Sequence, residues 1–110
     1  MSAPVVIVTG GGGGIGRATS IQLGARGALV LVVDRDLAAA EESARLAREA
    51  GGDAVAHAAD VSDDAQVAAY VRACEERFGG IDAFFNNAGI EGPIAEIPDY
   101  SLAEIGRAHV

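Results

Sequence analysis

The chain has 110 residues, half of them apolar and only 5% aromatic, so it has room for one small domain with a core of small side chains. Its formal net charge of −8 opposes binding to phosphate backbones and anionic lipid, which argues against nucleic acid and membrane surfaces as partners. All eight basic residues are arginine, and the chain contains no lysine.

The first predicted elements are a strand and a helix separated by glycines. Residues 5–9 form a continuous, β-branched apolar run, which is typical of a buried strand in a parallel sheet. This run is too short for a signal peptide or a membrane span, and no basic residue precedes it, so we expect a cytoplasmic protein. A helix is predicted over 15–26, with Gly27 as its C-terminal glycine.

A second strand and a second helix follow in the sequence. Residues 29–33 are fully apolar and lead into Asp34, which indicates another buried strand. The Ala, Glu, Arg and Leu content of residues 37–50 favours a helix with a solvated charged face. Gly51 and Gly52 are expected to end it.

The last predicted elements are a weaker strand over 54–58, a helix that reaches residue 78, and a strand over 83–86. Ser62 is expected to cap this helix, with acidic residues in its first turn. Within the helix, Cys74 falls on an apolar stripe and is expected to be a buried structural thiol rather than a reactive one.

Strands and helices that alternate over short links predict an α/β protein, with a parallel sheet built from right-handed βαβ units. No repeat or linker divides the chain. His57 and His109 lie far apart, and there is a single cysteine, so neither a metal site nor an intrachain disulfide is predicted.

The glycine run at residues 9–16, TGGGGGIG, lies between a predicted strand and a predicted helix, which is the context of a phosphate-binding loop. Glycine allows the tight turn and the close approach of a pyrophosphate to the amides at the helix start. A P-loop is excluded because Arg17 and Ala18 replace its Lys and Ser or Thr. Two registers fit and stay open: Gly11, Gly13, Gly16 or Gly10, Gly14, Gly16.

Asp34 lies eighteen residues beyond Gly16 at the end of the second predicted strand, where a carboxylate accepts hydrogen bonds from the adenosine ribose. The same carboxylate opposes a 2′-phosphate by about 4 kcal/mol per charge pair at about 4 Å and an effective dielectric of about 20. NAD is therefore favoured over NADP. Arg35 is the opposing feature, because a guanidinium beside the ribose accommodates the additional phosphate.

Four motifs in chain order resemble the short-chain dehydrogenase/reductase family. Its wider glycine spacing, T-G-x-x-x-G-x-G, fits residues 9–16, and an Asp-Val pair follows the third strand at 60–61. GGID precedes the fourth strand at 79–82, and NNAG follows at 86–89. The resemblance covers residues 4–104 and implies the N-terminal part of a Rossmann fold, a doubly wound parallel sheet with about four strands and the helices between them.

This resemblance also implies roles for individual residues. Asp60 is expected to hydrogen-bond the adenine amino group beside the Val61 backbone, and Asn86 and Gly89 to line the cleft near the ribose. Structural alternatives stay open, with Asp60 as a helix cap and the asparagine pair as a tie between strands. The candidate cofactor-binding residues are Gly10, Gly13, Gly14, Ile15, Gly16, Asp34, Arg35, Asp60, Val61, Asn86, Ala88 and Gly89.

The implied reaction is hydride transfer between NAD(H) and a small secondary alcohol or ketone, in a full-length protein that forms homo-oligomers. Members of the family transfer the proton with a tyrosine that has a lysine four residues on. Without lysine, neither Tyr70 nor Tyr100 can form that pair, so no catalytic residue is assigned. Residues 1–104 are expected to be an incomplete NAD(P)-binding domain, inactive alone. Residues 105–110, IGRAHV, correspond to a translated sequencing adapter and are expected to be a non-native tail.

Two other functions stay open. One is a non-catalytic dinucleotide-binding fragment, which predicts weak NAD binding without turnover. The other is an extended-type NAD-dependent epimerase or dehydratase, whose T-G-x-x-G-x-x-G spacing fits Gly13 and Gly16, although NNAG and GGID argue against it. An incomplete sheet also leaves residues 83–85 at an apolar edge, so the chain expressed alone is expected to aggregate or fold poorly.

Overall fold

The computed structural model describes residues 3–87, which form a parallel sheet with helices on both faces. The elements are β1 (Val5–Thr9), α1 (Gly14–Ala25), β2 (Leu29–Asp34), α2 (Leu37–Ala50), β3 (Asp53–Ala58), α3 (Asp64–Phe78) and β4 (Ala83–Asn86). The predicted α/β, Rossmann-type class is confirmed. The structure of residues 88–110 lies outside this description, which includes Ala88, Gly89, Tyr100 and the predicted tail.

The strand order is β3-β2-β1-β4, with every pair parallel. The chain moves outward from β1 to β3, and α3 then carries it across the other face of the sheet to β4, on the far side of β1. The order therefore reverses between β1 and β4. In open α/β sheets, ligands bind in the crevice outside the carboxyl ends of the strands at such a switch point.

Alternate residues of the strands supply two cores, because successive strand side chains point to opposite faces. One core packs Val6, Val8, Val30 and Val32 against the buried alanines of α2, and the other packs Val5, Ile7, Leu31 and Val33 against Tyr70 and Cys74 of α3. Glycine and alanine let α1 and α2 approach closely, since a Cβ at Gly24 would lie 2.3 Å from the Ala47 carbonyl oxygen. This close packing accounts for a core with few aromatic side chains.

Cys74 is fully buried, which confirms the expected structural thiol. Burial raises the pKa of this thiol to about 11, and the neighbouring Glu75 carboxylate adds to the shift. The thiolate form, which is the nucleophile, is therefore scarce at neutral pH.

The helix ends largely match the sequence prediction, with one correction at α3. Its N-cap is Asp63, whose Oδ1 accepts hydrogen bonds from the N–H groups of Ala65 at 2.9 Å and Gln66 at 3.3 Å. The prediction that Ser62 caps this helix is wrong, because the Ser62 hydroxyl donates to Asp60 at 2.7 Å instead. Gly27, Gly51 and Gly79 follow the three helices with positive φ, as glycine after a helix end commonly does.

Within residues 3–87, none of the helices has the length and apolarity that crossing a membrane requires. The same part of the chain has no cluster of three or more His, Cys, Asp or Glu side chains arranged to hold a metal ion.

Candidate cofactor site

A cleft of about 360 Å³ opens at the carboxyl ends of the strands. Its walls come from the segments that follow β1, β2 and β3, and they include Gly10, Asp34, Arg35, Asp60 and Val61. These candidate residues are thus brought together from three separate parts of the sequence. Parallel strands place their carboxyl ends at one edge of the sheet, which explains this convergence.

The glycine loop between β1 and α1 needs glycine at particular positions. Gly10 and Gly14 have φ values of 65° and 54°, in the left-handed region that side chains disfavour. A Cβ at Gly16 would lie 2.1 Å from the Gly10 carbonyl oxygen, so this contact also requires glycine. Gly13 is extended, with φ −176°, and has no atom within 4 Å of the position of a Cβ. The backbone therefore favours the spacing Gly10, Gly14, Gly16 over one that requires Gly13.

The start of α1 lacks the caps that the other helices have. Asp36 and Asp63 cap α2 and α3 by accepting main-chain hydrogen bonds, whereas Gly13 offers no side chain and the first turn of α1 has no acidic residue. Among the described residues, the N–H groups of Gly13, Gly14 and Ile15 have no hydrogen-bond partner. Exposed donors at the positive end of a helix fit a diphosphate.

Asp34 connects the end of β2 to the glycine loop. Its Oδ2 accepts a hydrogen bond from the Gly12 N–H at 2.9 Å, and its Oδ1 accepts one from the Asp36 N–H at 3.0 Å. Each carboxylate oxygen has a second lone pair, so both can also accept a ribose hydroxyl. A Cβ at Gly12 would lie 2.7 Å from Asp34 Oδ2, which explains why this close approach needs glycine. The sequence analysis did not predict the hydrogen bond from the Gly12 N–H to Asp34.

Asp60 lies across the cleft and is held by two neighbours. Its Oδ1 accepts hydrogen bonds from the Ser62 hydroxyl at 2.7 Å and the Ser62 N–H at 2.9 Å, and Arg35 Nη2 lies 3.4 Å from Oδ2. The Ser62 hydroxyl bond is the largest cause of a lowered Asp60 pKa, followed by the Ser62 N–H, while the Arg35 charge contributes less. Asp60 is therefore ionised at neutral pH. The side chain that caps α3 is that of Asp63, so the helix-cap alternative for Asp60 is wrong.

The Arg35 guanidinium extends into solvent, with 75% of its side chain exposed. Its ion pair with Asp60 is therefore a surface pair, which contributes little to stability. Such a weak tie leaves the guanidinium able to turn toward a ligand phosphate at this edge of the cleft.

The asparagines after β4 tie that strand to β1. The buried Thr9 hydroxyl donates to Asn86 Oδ1 at 2.9 Å and accepts a hydrogen bond from the Asn87 N–H at 3.1 Å. Asn87 Nδ2 donates to the Gly10 carbonyl oxygen at 3.4 Å. The strand-tie alternative is therefore present, and it also holds Asn86 at the switch point. Thr9 and Asn87 were not among the predicted site residues, although both belong to the quoted motifs.

Asp82, in the GGID motif, lies at the opposite end of the sheet. Its Oδ2 accepts a hydrogen bond from the Val5 N–H at 2.7 Å, and its own N–H donates to the Val5 carbonyl at 2.8 Å. These bonds join the starts of β4 and β1. Within the described residues, this part of the resemblance is thus structural.

Comparisons with known proteins agree with this geometry. The family model for short chain dehydrogenase matches residues 4–107. Levodione reductase from Leifsonia aquatica is 49% identical over 105 residues, which cover 94% of this chain and 39% of that protein.

Two solved structures share the fold and hold a cofactor. NAD⁺-bound xylitol dehydrogenase is 34% identical, with a TM-score of 0.76, over 93% of this chain and 40% of that one. A metagenomic short-chain oxidoreductase in complex with NADP is 36% identical with a TM-score of 0.75, over 86% of this chain and 44% of that one. The chain spans about two fifths of the length of levodione reductase and of these two structures.

Proposed function

The chain belongs to the short-chain dehydrogenase/reductase family, and on that premise we propose that it binds NAD(H) for hydride transfer to or from a small alcohol or ketone. One observation carries the proposal, which is that the uncapped start of α1 and the Asp34 carboxylate of the cleft lie beside each other, joined by the hydrogen bond from the Gly12 N–H to Asp34. The first supplies donors for phosphates and the second supplies acceptors for ribose hydroxyls. The open space at Gly13 supports this family over the extended-type alternative.

The choice of NAD over NADP rests on Asp34. Its carboxylate is fixed by two main-chain donors, so it cannot turn away from a 2′-phosphate without losing both bonds. Arg35 offers only partial compensation, because 75% of its side chain is exposed and solvent screens the attraction of its charge for a phosphate. Solved relatives hold either NAD or NADP, so this preference is our proposal for the present chain.

In this proposal the residues of the chain bind and orient the cofactor, and the nicotinamide supplies the hydride acceptor or donor when it is bound. The loop amides hold the diphosphate, Asp34 fixes the adenosine ribose, and Asp60 accepts from the adenine amino group. The chain has no lysine and therefore no tyrosine–lysine pair for proton transfer. We propose that the 110 residues bind cofactor without turnover, as part of a cytoplasmic, homo-oligomeric oxidoreductase.

Calorimetric titration with NADH and NADPH tests the proposal. The wild-type chain, kept soluble as a fusion if needed, is expected to bind NADH at least tenfold more tightly than NADPH. Tenfold corresponds to about 1.4 kcal/mol of binding free energy. Asp34→Asn is expected to narrow this ratio, because it removes the charge that opposes the 2′-phosphate. The matched control is Asp53→Asn, which alters a carboxylate paired with Arg77 away from the cleft.

Three results would contradict the proposal. Binding of neither dinucleotide by the folded wild-type chain would remove the cofactor site itself. Tighter binding of NADPH than of NADH would reverse the cofactor preference and would assign the dominant charge to Arg35 rather than Asp34. Oxidation of alcohols by the isolated chain would contradict binding without turnover.

A further inference from the structure

Arg17 lies in the first turn of α1, behind the glycine loop, and the binding roles described above do not use it. Its Nη2 donates to the Gly12 carbonyl at 2.8 Å and to the Ala39 carbonyl at 3.2 Å, while its Nε donates to the Ser43 hydroxyl at 2.9 Å. Ser43 is completely buried on α2. The guanidinium therefore joins the loop to α2 through three hydrogen bonds.

One of these bonds sets the direction of a loop amide. A trans peptide unit is planar, so its C=O and N–H groups point in opposite directions. Arg17 draws the Gly12 carbonyl inward, and the Gly13 N–H of the same unit consequently points outward. No atom lies within 4 Å of where a Cβ would stand at Gly13, so this outer side has room for a ligand.

The neighbouring peptide units of the loop are held by other groups. The Gly11 N–H donates to the Val33 carbonyl at 3.0 Å, and the Gly12 N–H donates to Asp34. The Arg17 main-chain N–H donates to the Gly13 carbonyl at 3.2 Å, which holds the unit between Gly13 and Gly14. Of the loop units from Gly10 to Gly14, it is the one between Gly12 and Gly13 that takes its orientation from the Arg17 side chain. Loss of that side chain would therefore release one amide of the candidate phosphate site while its neighbours stay fixed.

The charge of Arg17 also remains available to a ligand. Its three acceptors are neutral, and among the described residues no carboxylate lies within ion-pair distance of its guanidinium. Glu42 is ion-paired with Arg45 instead, and the Arg45 hydrogen bond is the largest cause of its lowered pKa, with the Arg17 charge the smallest. A half-buried cation without a counterion raises the positive potential on the loop in front of it.

We propose that Arg17 is a positioning residue for the cofactor diphosphate, which aims the Gly13 N–H at the phosphates and adds unpaired positive charge behind them. The inference rests on the proposed function, since it needs a diphosphate at the loop. The positioning role of Arg17 differs from a purely structural tie in the ligands that it affects. A structural tie affects all ligands of the cleft through folding, whereas a positioning residue affects those that carry phosphates.

The test compares ADP with adenosine, which share the nucleoside and differ in the diphosphate. Arg17→Met is expected to lower the affinity for ADP and for NADH at least tenfold, and to leave the affinity for adenosine within twofold of the wild-type value. It should also flatten the salt dependence of ADP binding. Arg17→Lys keeps the charge but cannot form the same fork of hydrogen bonds, so an intermediate loss is expected. The control is Arg48→Met, since Arg48 donates to the Ala54 carbonyl at 2.8 Å outside the cleft.

Equal losses for ADP and adenosine in folded Arg17→Met, or no loss for either, would overturn the inference. If circular dichroism shows that Arg17→Met is unfolded, Arg17→Lys decides by the same comparison, and unchanged ADP affinity there overturns it. Failure of the folded wild-type chain to bind ADP or NADH would instead overturn the proposed function on which the inference rests. Failure of the proposed function is thus seen in the wild-type chain, whereas failure of the inference is seen in the Arg17 variants.

Discussion

A single methyl group at Gly16 is predicted to damage both folding and cofactor binding. In Gly16→Ala the new Cβ would stand 2.1 Å from the Gly10 carbonyl oxygen, where ordinary contact begins at 3.4 Å. The loop must therefore move by more than 1 Å. It cannot do so freely, because Gly10 directly follows β1 and its carbonyl also accepts from Asn87.

Two opposing energies decide the size of the effect. Replacing glycine by alanine inside a helix gains up to about 1 kcal/mol of helix propensity, and less in a first turn. Overpacking costs about 1–3 kcal/mol, and backbone contacts lie toward the upper end because they cannot rotate away. We expect a net loss of about 1–2 kcal/mol, which lowers the melting temperature by about 4–8 °C for each kcal/mol in a domain of this size.

The assay is thermal unfolding by circular dichroism, followed by NADH titration below the transition. Gly16→Ala is expected to weaken NADH at least tenfold, because the displaced loop no longer aims its amides at the diphosphate. Gly13→Ala is the matched control for the unfolding measurement, since its added methyl meets no atom of the described chain within 4 Å. Its expected cost is about 1 kcal/mol or less, because glycine is only a few tenths of a kcal/mol worse at an N-cap than the favoured residues, whose replacement by alanine typically costs about 1 kcal/mol.

Either of two outcomes would refute this reasoning. Equal losses of unfolding free energy in Gly13→Ala and Gly16→Ala would mean that the close contact with the Gly10 carbonyl does not govern the cost. Wild-type stability and affinity in Gly16→Ala would mean that the loop yields to the methyl group at no cost.

Three further predictions concern single side chains. Thr9→Val should lose about 1–3 kcal/mol of unfolding free energy in urea denaturation, because buried hydrogen-bond partners are left unsatisfied, and Thr9→Ser should restore most of it. The folded Asp60 pKa lies below its ordinary 3.8, so its stabilising effect is complete above that pH and is lost as pH falls through the lower folded value. The melting temperatures of wild type and Asp60→Asn should therefore converge between pH 7 and pH 2, and a constant difference would contradict this. Cys74 should react with a thiol reagent at pH 8 at least a hundredfold more slowly in the folded chain than in urea, and equal rates would contradict its burial.

Much of the fold could be predicted because its signals are local. Apolar β-branched runs bounded by glycine placed β1, β2 and β4 to within a residue, and composition placed α2. The cap of α3 was misjudged because both Ser62 and the next residue, Asp63, are good N-cap residues. The choice between them depends on Asp60, which binds the serine hydroxyl.

The sequence by itself determined that a glycine loop between a strand and a helix is followed by an acidic residue at the end of the next strand. The family resemblance followed from that loop together with the Asp-Val, GGID and NNAG motifs. The sequence could not choose between two glycine registers, because five successive glycines satisfy both patterns equally. Only the tertiary structure showed that packing within the chain requires glycine at Gly16 and leaves open space at Gly13, since the close carbonyl belongs to a residue brought near by the turn. Likewise, the sequence assigned no role to Arg17 beyond excluding a P-loop, because its side-chain acceptors come from the folded glycine loop and from α2. Contacts between separate elements are set by packing, which a linear pattern of residue types does not encode.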